Sequence, residues 1–161
     1  MTTRLKRLIE GIDPDGTDWQ VVEINVVPGW KPGTKIRFPR EGGELPTGES
    51  QDLVFVVEEK PHPRFRRDGN DLIFTKKLSL VEALTGEGGK KTVEHLDGRR
   101  LHVSVPQGVK PGQETRISGE GMPARKEGQV HKKGDLIVKW EIVFPDRLTP
   151  AQKEGIKKVL G

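Results

Sequence analysis

Cysteine and tyrosine are both absent from the 161 residues. Without cysteine the chain can form no disulfide and offers no thiolate to a zinc ion. No segment approaches the ~20 consecutive apolar residues that a membrane-spanning helix needs, and the first residues lack the apolar core of a secretion signal. We therefore expect a cytoplasmic protein, with a nuclear location also open, that has no membrane partner.

Glycine and proline, in contrast, are abundant, with 20 and 12 residues, while apolar residues make up only 32% of the chain. This composition is typical of short strands joined by many turns around thin cores. The net charge is +4, and the excess of lysine and arginine lies in residues 76–161. A basic half of this kind is compatible with nucleic acid or acidic peptides as partners, and equally with an ordinary solvated surface.

One segment occurs twice in diverged form. Residues 27–38 read VPGWKPGTKIRF, and residues 105–117 read VPQGVKPGQETRI, with Lys-Pro-Gly in both copies. An Asp-Leu strand follows each copy, at residues 52–57 and 135–140. The same order of elements at nearly the same offset indicates a duplicated small β-domain.

The predicted fold is therefore mostly β, with two tandem small β-sandwich-like domains that carry short helices. We place the first domain at residues 1–70, the second at 71–147 and a C-terminal helix at 148–161. The second domain opens with a strand and a helix that have no counterpart before Thr3. We interpret this asymmetry as a sign that the chain is a fragment whose first domain lacks its first strand and helix.

Hydrophobic alternation and turn residues predict the individual elements. Strands are expected at residues 5–9, 20–27, 36–38, 53–57, 72–78 and 136–144, and a hairpin joins 90–95 to 99–105 across Asp97-Gly98. Residues 41–51 and 119–134 are predicted loops, and 64–70 a polar connection. Strand 53–57 has no polar residue on either face, so it is either covered on both faces or open to an apolar ligand on one.

Both helices are predicted from their N-terminal caps. Ser79 and Glu82 form a capping box that starts a helix over residues 80–84, and Gly86 ends it. Thr149, with a proline next and a glutamine three positions on, starts the C-terminal helix. Its apolar residues share one face at i, i+3 and i+4, namely Ile156, Val159 and Leu160.

Catalytic patterns are sparse, and we predict neither an enzyme nor a metal or other cofactor. His95 and His102 flank the Asp97-Gly98 turn and are placed to face each other across the hairpin, a pairing that is more often a surface feature than a metal site. Glu58 and Glu59 are neighbours on a strand and point to opposite faces. Two alternatives stay open: a basic β-domain that binds nucleic acid, and a β-sandwich glycosidase.

Three groups of motifs carry a resemblance to a known family. They are residues 28–36 (PGWKPGTKI), residues 52–56 with 62–72 (DLVFV and HPRFRRDGNDL), and residues 96–99 with 119–123 and 134–136 (LDGR, GEGMP and GDL). In this order the chain resembles the C-terminal, peptide-binding half of the DnaJ-family (J-domain protein, heat shock protein 40) co-chaperones. It is similar to the class without a zinc finger, because the position of that module is cysteine-free.

The resemblance implies a substrate-binding and dimerisation region that binds unfolded polypeptide and delivers it to heat shock protein 70. It places Leu5 and Phe55 in an apolar peptide groove. Arg7 occupies a position at which the family has an aliphatic residue. If the alignment with the family shifts by one residue, Leu8 takes that position. The resemblance implies no nucleic-acid partner.

The same resemblance assigns two further surfaces. Arg4 and Lys6 belong to a basic strip that receives the acidic C-terminal tail of heat shock protein 70. The C-terminal helix corresponds to a dimerisation segment, in which Ile156, Val159 and Leu160 pack on the partner subunit of a homodimer.

Overall fold

Short strands make up most of the regular secondary structure in the described part of the chain. A computed structural model describes residues 4–10, 19–40, 42 and 45–161, with side chains described from Val22 onward in these ranges. The strands are β1 (Arg4–Glu10), β2 (Trp19–Asn25), β3 (Lys35–Phe38), β4 (Leu53–Val56), β5 (Phe65–Asp68), β6 (Asp71–Ser79), β7 (Lys90–Glu94), β8 (Arg100–Ser104), β9 (Glu114–Ile117), β10 (Pro123–Lys126), β11 (Gln129–Lys133) and β12 (Leu136–Val143). The helices are α1 (Leu80–Thr85) and α2 (Pro150–Leu160). The predicted mostly β fold class is confirmed.

The main core lies on a four-stranded sheet in the order β5-β6-β12-β9. Strand β12 runs parallel to β6 and antiparallel to β9, so it has a partner on each edge. Its residues Leu136, Val138 and Trp140 are at most 2% exposed. The Trp140 indole N–H donates to Thr115 Oγ1 at 2.9 Å, so the one polar atom of this buried side chain is satisfied.

Helix α1 forms because its cap is complete. Ser79 Oγ accepts from the Glu82 backbone N–H, and the Glu82 carboxylate accepts from the Ser79 backbone N–H. Gly86 ends the helix in the left-handed region at φ 71°. Ala83 is buried against the core at 1% exposure. The predicted helix and its capping box are therefore confirmed.

The first half consists of two smaller antiparallel pairs, β1 with β2 and β3 with β4. Val22 on β2 is buried. Strand β5, which precedes the predicted domain boundary at residue 70, pairs with β6, which follows it. The division into two domains at that position stays a prediction.

Two predicted irregular segments contain strands instead. The polar connection predicted at 64–70 is wrong, because β5 pairs with β6 and buries Phe65 in the core. Charged residues on both sides of Phe65 obscured the alternation of apolar and polar residues that predicts a strand. The loop predicted at 119–134 is also wrong in part, because β10 and β11 form a hairpin. Its turn residues Glu127 and Gly128 both have positive φ, and the absence of buried side chains in β11 left no apolar pattern to read.

The predicted pairing of His95 with His102 is wrong. The hairpin register places His102 opposite Thr92. His95 lies beyond the paired strands, is only 6% exposed and donates from Nε2 to the Glu120 carbonyl oxygen at 2.7 Å. The hairpin itself, with its turn at Asp97-Gly98, is confirmed.

Helix α2 begins at the predicted cap. Thr149 accepts from the Gln152 backbone N–H, and Gln152 reaches back to the Thr149 backbone N–H. None of the residues of α2 is buried. Within the described ranges, no helix is long and apolar enough to cross a membrane.

A charged cluster ties the β7–β8 turn to the loop before β10. Arg99 donates from Nη2 to Glu120 Oε2 at 2.6 Å and from Nε to Asp97 Oδ2 at 2.6 Å. The Arg99 hydrogen bond holds the pKa of Glu120 below its ordinary value of 4.5. An ionised Glu120 therefore stabilises the folded state above the unfolded pKa, and this contribution is lost as the pH falls through the lower folded pKa.

We predict that Glu120→Gln lowers the free energy of unfolding at neutral pH, and that its difference from wild type vanishes in acid. Urea titrations between about pH 7 and pH 3 measure this difference. The matched control is Glu87→Gln, which alters an exposed carboxylate and should leave the difference near zero throughout. A Glu120→Gln penalty that stays constant down to the acid limit would contradict the assignment.

Candidate functional site

An apolar groove of about 680 Å³ surrounds β4. We call it the β4 groove. Its wall comes mainly from apolar residues of both halves of the chain: Ile24, Val26, Trp30, Ile36, Phe55, Val56, Val57, Met122 and Pro123. Because the groove is concave and its wall is mainly apolar, it is the first candidate for a binding site.

Strand β4 has one edge that is free among the described residues. It pairs with β3, and no other described strand pairs with it. The Val57 N–H donates to the Thr34 carbonyl at 2.9 Å. Since antiparallel residues alternate between bonded and non-bonded positions, Phe55 directs its backbone groups to β3, while Val54 and Val56 direct theirs to the free edge. The groove therefore lies beside backbone donors and acceptors that another extended chain can use.

The internal repeat explains why this surface is open. By the repeat, β4 corresponds to β12, whose second edge is occupied by β6. Helix α1 also covers the second half, where the Ala83 carbonyl accepts from the Val109 N–H, and Val109 corresponds to Trp30. Within the described ranges, nothing takes the place of β6 and α1 beside β4. The apolar residues that form a sealed core in one half thus line an open groove in the other.

The Lys-Pro-Gly turn positions Trp30 in the groove wall. Gly29 and Gly33 have φ of 92° and 86°, which glycine adopts without strain. The Gly33 N–H donates to the Val57 carbonyl at 2.8 Å and ties the turn to the end of β4. Arg67 donates from Nη1 to the Trp30 carbonyl at 3.2 Å, which connects this wall to strand β5.

Met122, which also lines the groove, is held in place by a close backbone approach. Its N–H donates to the Asn70 carbonyl at 2.8 Å, and its carbonyl accepts from the Gly134 N–H at 2.9 Å. A Cβ at Gly134 would overlap the Asn70 carbonyl, and one at Gly121 would overlap the backbone of Gly134. Glycine at both positions is therefore required for the approach.

Phe55, which was expected in a peptide groove, lines the β4 groove, and its role in peptide binding stays a prediction. Its ring packs edge-on against Phe38, with centroids 5.8 Å apart and planes at 87°. It is half-buried and so contributes both to the β3–β4 packing and to the groove wall.

The remaining expected groove residues lie in β1. Leu5, Arg7 and Leu8 are the Cα partners of Ile24, Val22 and Val21 on β2. Leu5 is therefore paired with a residue that lines the groove. The side chains of all three residues lie outside the described part, so their role in the groove stays a prediction.

The expected basic strip also lies in β1. Arg4 is the Cα partner of Asn25, and Lys6 that of Glu23. Their side chains fall outside the described residues, and acidic-tail binding there stays a prediction.

The apolar face of α2 is uncovered. Ile156, Val159 and Leu160 are 41%, 79% and 66% exposed. These three residues form one stripe on a helix with no buried residue, so the chain as described leaves the stripe without an apolar partner.

Several groove residues were not singled out as binding residues from the sequence. Val56 is 58% exposed although it lies in a strand of apolar residues, and the absence of polar residues in that strand was the available signal. Trp30 and Met122 stood in motifs that were read only as turn and loop. Nothing in the sequence indicated that these two motifs meet across the groove.

An apolar groove at a strand edge and an uncovered apolar helix face are features typical of interaction modules. The chain belongs to the DnaJ C terminal domain family, whose sequence profile matches residues 4–145. The resemblance found in the motifs is thus confirmed at the level of the family.

Curated relatives agree with this assignment. The chain is 39% identical over 163 residues to "DnaJ homolog subfamily B member 5" of Homo sapiens, and this match covers 99% of this chain and 46% of the relative. It is 46% identical over 134 residues to "Protein psi1" of Schizosaccharomyces pombe, with 83% of this chain and 34% of the relative covered. It is 44% identical over 136 residues to "Protein SIS1" of Saccharomyces cerevisiae, and this match covers 84% of this chain and 38% of the relative. The chain therefore spans less than half the length of these relatives.

We predict that Gly134→Ala destabilises the fold by about 2–3 kcal/mol, because the added methyl group forces the Asn70 carbonyl out of place. Chemical denaturation measures the loss. The control is Gly155→Ala, at a helical position where an added Cβ meets nothing within 4 Å and where alanine should stabilise by up to ~1 kcal/mol. Equal stability of Gly134→Ala and wild type would contradict the close approach.

Proposed function

We propose that this chain is the substrate-binding and dimerisation region of a heat shock protein 40 co-chaperone, and that it binds unfolded or extended polypeptide in the β4 groove. The observation that carries the proposal is the coincidence of an apolar groove with the free edge of β4. Family membership supports a co-chaperone role and not an enzymatic one.

The groove suits an extended peptide. Backbone groups of Val54 and Val56 at the free edge can pair with those of an added strand, whatever its sequence. Alternate side chains of that strand then enter the groove beside Phe55 and Trp30. Burial of one leucine or phenylalanine contributes roughly 1.5–3 kcal/mol. Binding of one segment should therefore be weak and tolerant of sequence, as a chaperone for many clients requires.

The two alternatives open from the sequence gain less support. A glycosidase needs two carboxylates that face one bond, whereas Glu58 lines the groove and Glu59 lies 3.4 Å from Arg67 Nη1. A nucleic-acid site needs basic residues between exposed aromatic rings, whereas the groove wall is mainly apolar.

Dimerisation through α2 is the second part of the proposal. A stripe of three exposed apolar residues on a terminal helix gains stability when a second copy covers it. Two grooves on one dimer hold two segments of the same unfolded chain, which raises the effective affinity above that of either groove. This gain compensates for the weak binding of single segments.

Delivery to heat shock protein 70 is the third part. We propose that Arg4 and Lys6 on β1 receive the acidic C-terminal tail of that partner, since β1 pairs with the strand that contributes Ile24 to the groove. The tail and the client then bind near each other. The cytoplasmic location expected from the sequence stays a prediction.

We predict that Val56→Lys weakens binding of a denatured client by about tenfold, because a charged side chain replaces one buried apolar contact. Val56 is a better probe than Phe55, since truncation of Phe55 also removes its contact with Phe38. The control is Val130→Lys, because Val130 is a similarly exposed valine of β11 that does not line the groove. Fluorescence anisotropy with a labelled, permanently unfolded protein measures both. Equal loss in the two variants, or none in either, would count against the groove.

We predict that Val159→Lys converts a dimer to a monomer, because the new charge interrupts the apolar stripe of α2. Sedimentation velocity measures the change. Glu154→Lys introduces the same residue on the opposite face of the exposed helix and should leave the dimer intact. A wild-type protein that sediments as a monomer would exclude this role of α2.

A further inference from the structure

We propose that the β10–β11 hairpin binds the phosphate backbone of a nucleic-acid duplex, without preference for a base sequence. The basic residues of this hairpin do not line the β4 groove, so the inference goes beyond the proposed peptide binding and does not depend on it. It also gives a role to the excess of lysine and arginine in residues 76–161, which peptide binding and dimerisation leave unexplained.

The hairpin carries a dense and exposed positive charge. Residues 125–133 read RKEGQVHKK, and all of them are exposed. Four of these residues are lysine or arginine, against the single carboxylate of Glu127. Lys126 and Lys132 form no ion pair with any residue that the structure describes. An incoming phosphate would therefore meet cations whose charge is not neutralised within the described part of the chain.

The third lysine, Lys133, lies near the carboxylate of Glu120. The Arg99 hydrogen bond is the main cause that lowers the pKa of Glu120, and the charge of Lys133 is a smaller one. Arg99 donates from Nη2 to Glu120 Oε2 at 2.6 Å. Because Arg99 already binds this carboxylate, Lys133 remains available to a phosphate.

The hairpin is a narrow ribbon that is formed before a ligand binds. Its two turn residues, Glu127 and Gly128, have φ of 53° and 79°, as in the tight turns that match the twist of a strand pair. Arg125 donates from Nη2 to the Gly128 carbonyl at 2.8 Å and braces the turn. Two strands about 4.8 Å apart form a ribbon that enters the roughly 12 Å wide major groove of B-form DNA.

One face of the hairpin contacts the first half, and the other face is free. A Cβ at Gly29 would lie 2.8 Å from the Cβ of Arg125, so the two segments approach closely there. Arg125 lies opposite Val130, whereas Lys126 lies opposite Gln129. Because successive residues of a strand point to opposite faces, Lys126 and Gln129 point away from Gly29. The contact thus fixes the base of the hairpin and presents a basic face to solvent.

The composition of the hairpin favours a duplex over other polyanions. A single strand exposes bases that stack on aromatic side chains, and residues 123–133 contain no phenylalanine or tryptophan. An acidic protein or a membrane surface would also bury apolar side chains, and Val130 is the one large apolar residue of this segment.

A duplex has its bases already stacked and presents an array of phosphates, so cations on a ribbon suffice to bind it. The apolar wall that makes the β4 groove unsuitable for nucleic acid has no counterpart on the hairpin.

Fluorescence anisotropy tests the proposal with the full chain and with labelled DNA and RNA duplexes, each in two unrelated sequences. We expect dissociation constants on the order of 10⁻⁶–10⁻⁴ M at physiological salt, equal for the two sequences. If the three lysines contact three phosphates, the affinity should fall about fortyfold as the salt is raised from about 50 to about 200 mM. Binding of either duplex supports the proposal, and the tighter of the two identifies the polymer.

Variants locate the binding surface. Replacing the three hairpin lysines should weaken duplex binding about tenfold or more and flatten its salt dependence, and the fold should survive because all three are exposed. These changes are Lys126→Gln, Lys132→Gln and Lys133→Gln. The control removes the same charge from three exposed lysines elsewhere in the second half and should retain duplex binding. Its changes are Lys77→Gln, Lys90→Gln and Lys110→Gln.

The remaining outcomes would overturn the inference. Equal loss of binding in both triple variants would show that net charge alone attracts the duplex. A single strand that binds as tightly as the duplex would exclude the duplex as the ligand. Polyglutamate or phosphatidylserine vesicles that displace the duplex at equal charge would exclude a nucleic-acid preference. Absence of duplex binding even at about 50 mM salt would reject the hairpin site, while client binding by the same preparation would leave the proposed function in place.

Discussion

The parallel pairing of β6 with β12 is the interaction on which the rest of the structure depends. It places β12 at the centre of the main sheet, where Leu136 and Val138 are fully buried. It also brings the turn before β6 to the turn before β12, so that the Asn70 carbonyl meets Met122 and Gly134. This contact fixes the position of Met122, which lines the β4 groove. The packing of the core in the second half therefore also shapes the groove.

The two halves differ in how completely their equivalent central strands are covered. Strands β4 and β12 occupy equivalent places in the repeat, yet β12 has a strand on each edge, while β4 has one edge free among the described residues. Unpaired backbone groups beside apolar side chains form an edge with which another chain can pair. They are also the requirement for binding an extended chain of arbitrary sequence. The unpaired edge of β4 leaves the first half with a less complete core. The proposed peptide binding depends on this same edge.

Elements with strong local signals were predictable from the sequence, and those with weak signals were not. The caps of Ser79 and Thr149 act within one helical turn, so both helices began where expected. Strand β5 was missed because its one core residue, Phe65, stands among charged residues whose side chains remain outside. Of the groove, Phe55 was recognised through the family motif. The lining residues Trp30 and Met122 were not, because no local pattern reports which turns meet in space.

The amino acids alone determine the β class, the sequence repeat, the two helices and the family, since each is encoded by local periodicity or by a contiguous motif. Packing determines which apolar residues are sealed and which stay open. Val138 and Phe55 occupy equivalent strand positions, but only Val138 is fully buried. The physical reason is that burial and charge compensation depend on contacts between residues far apart in the chain, and periodicity and motif carry no record of those contacts.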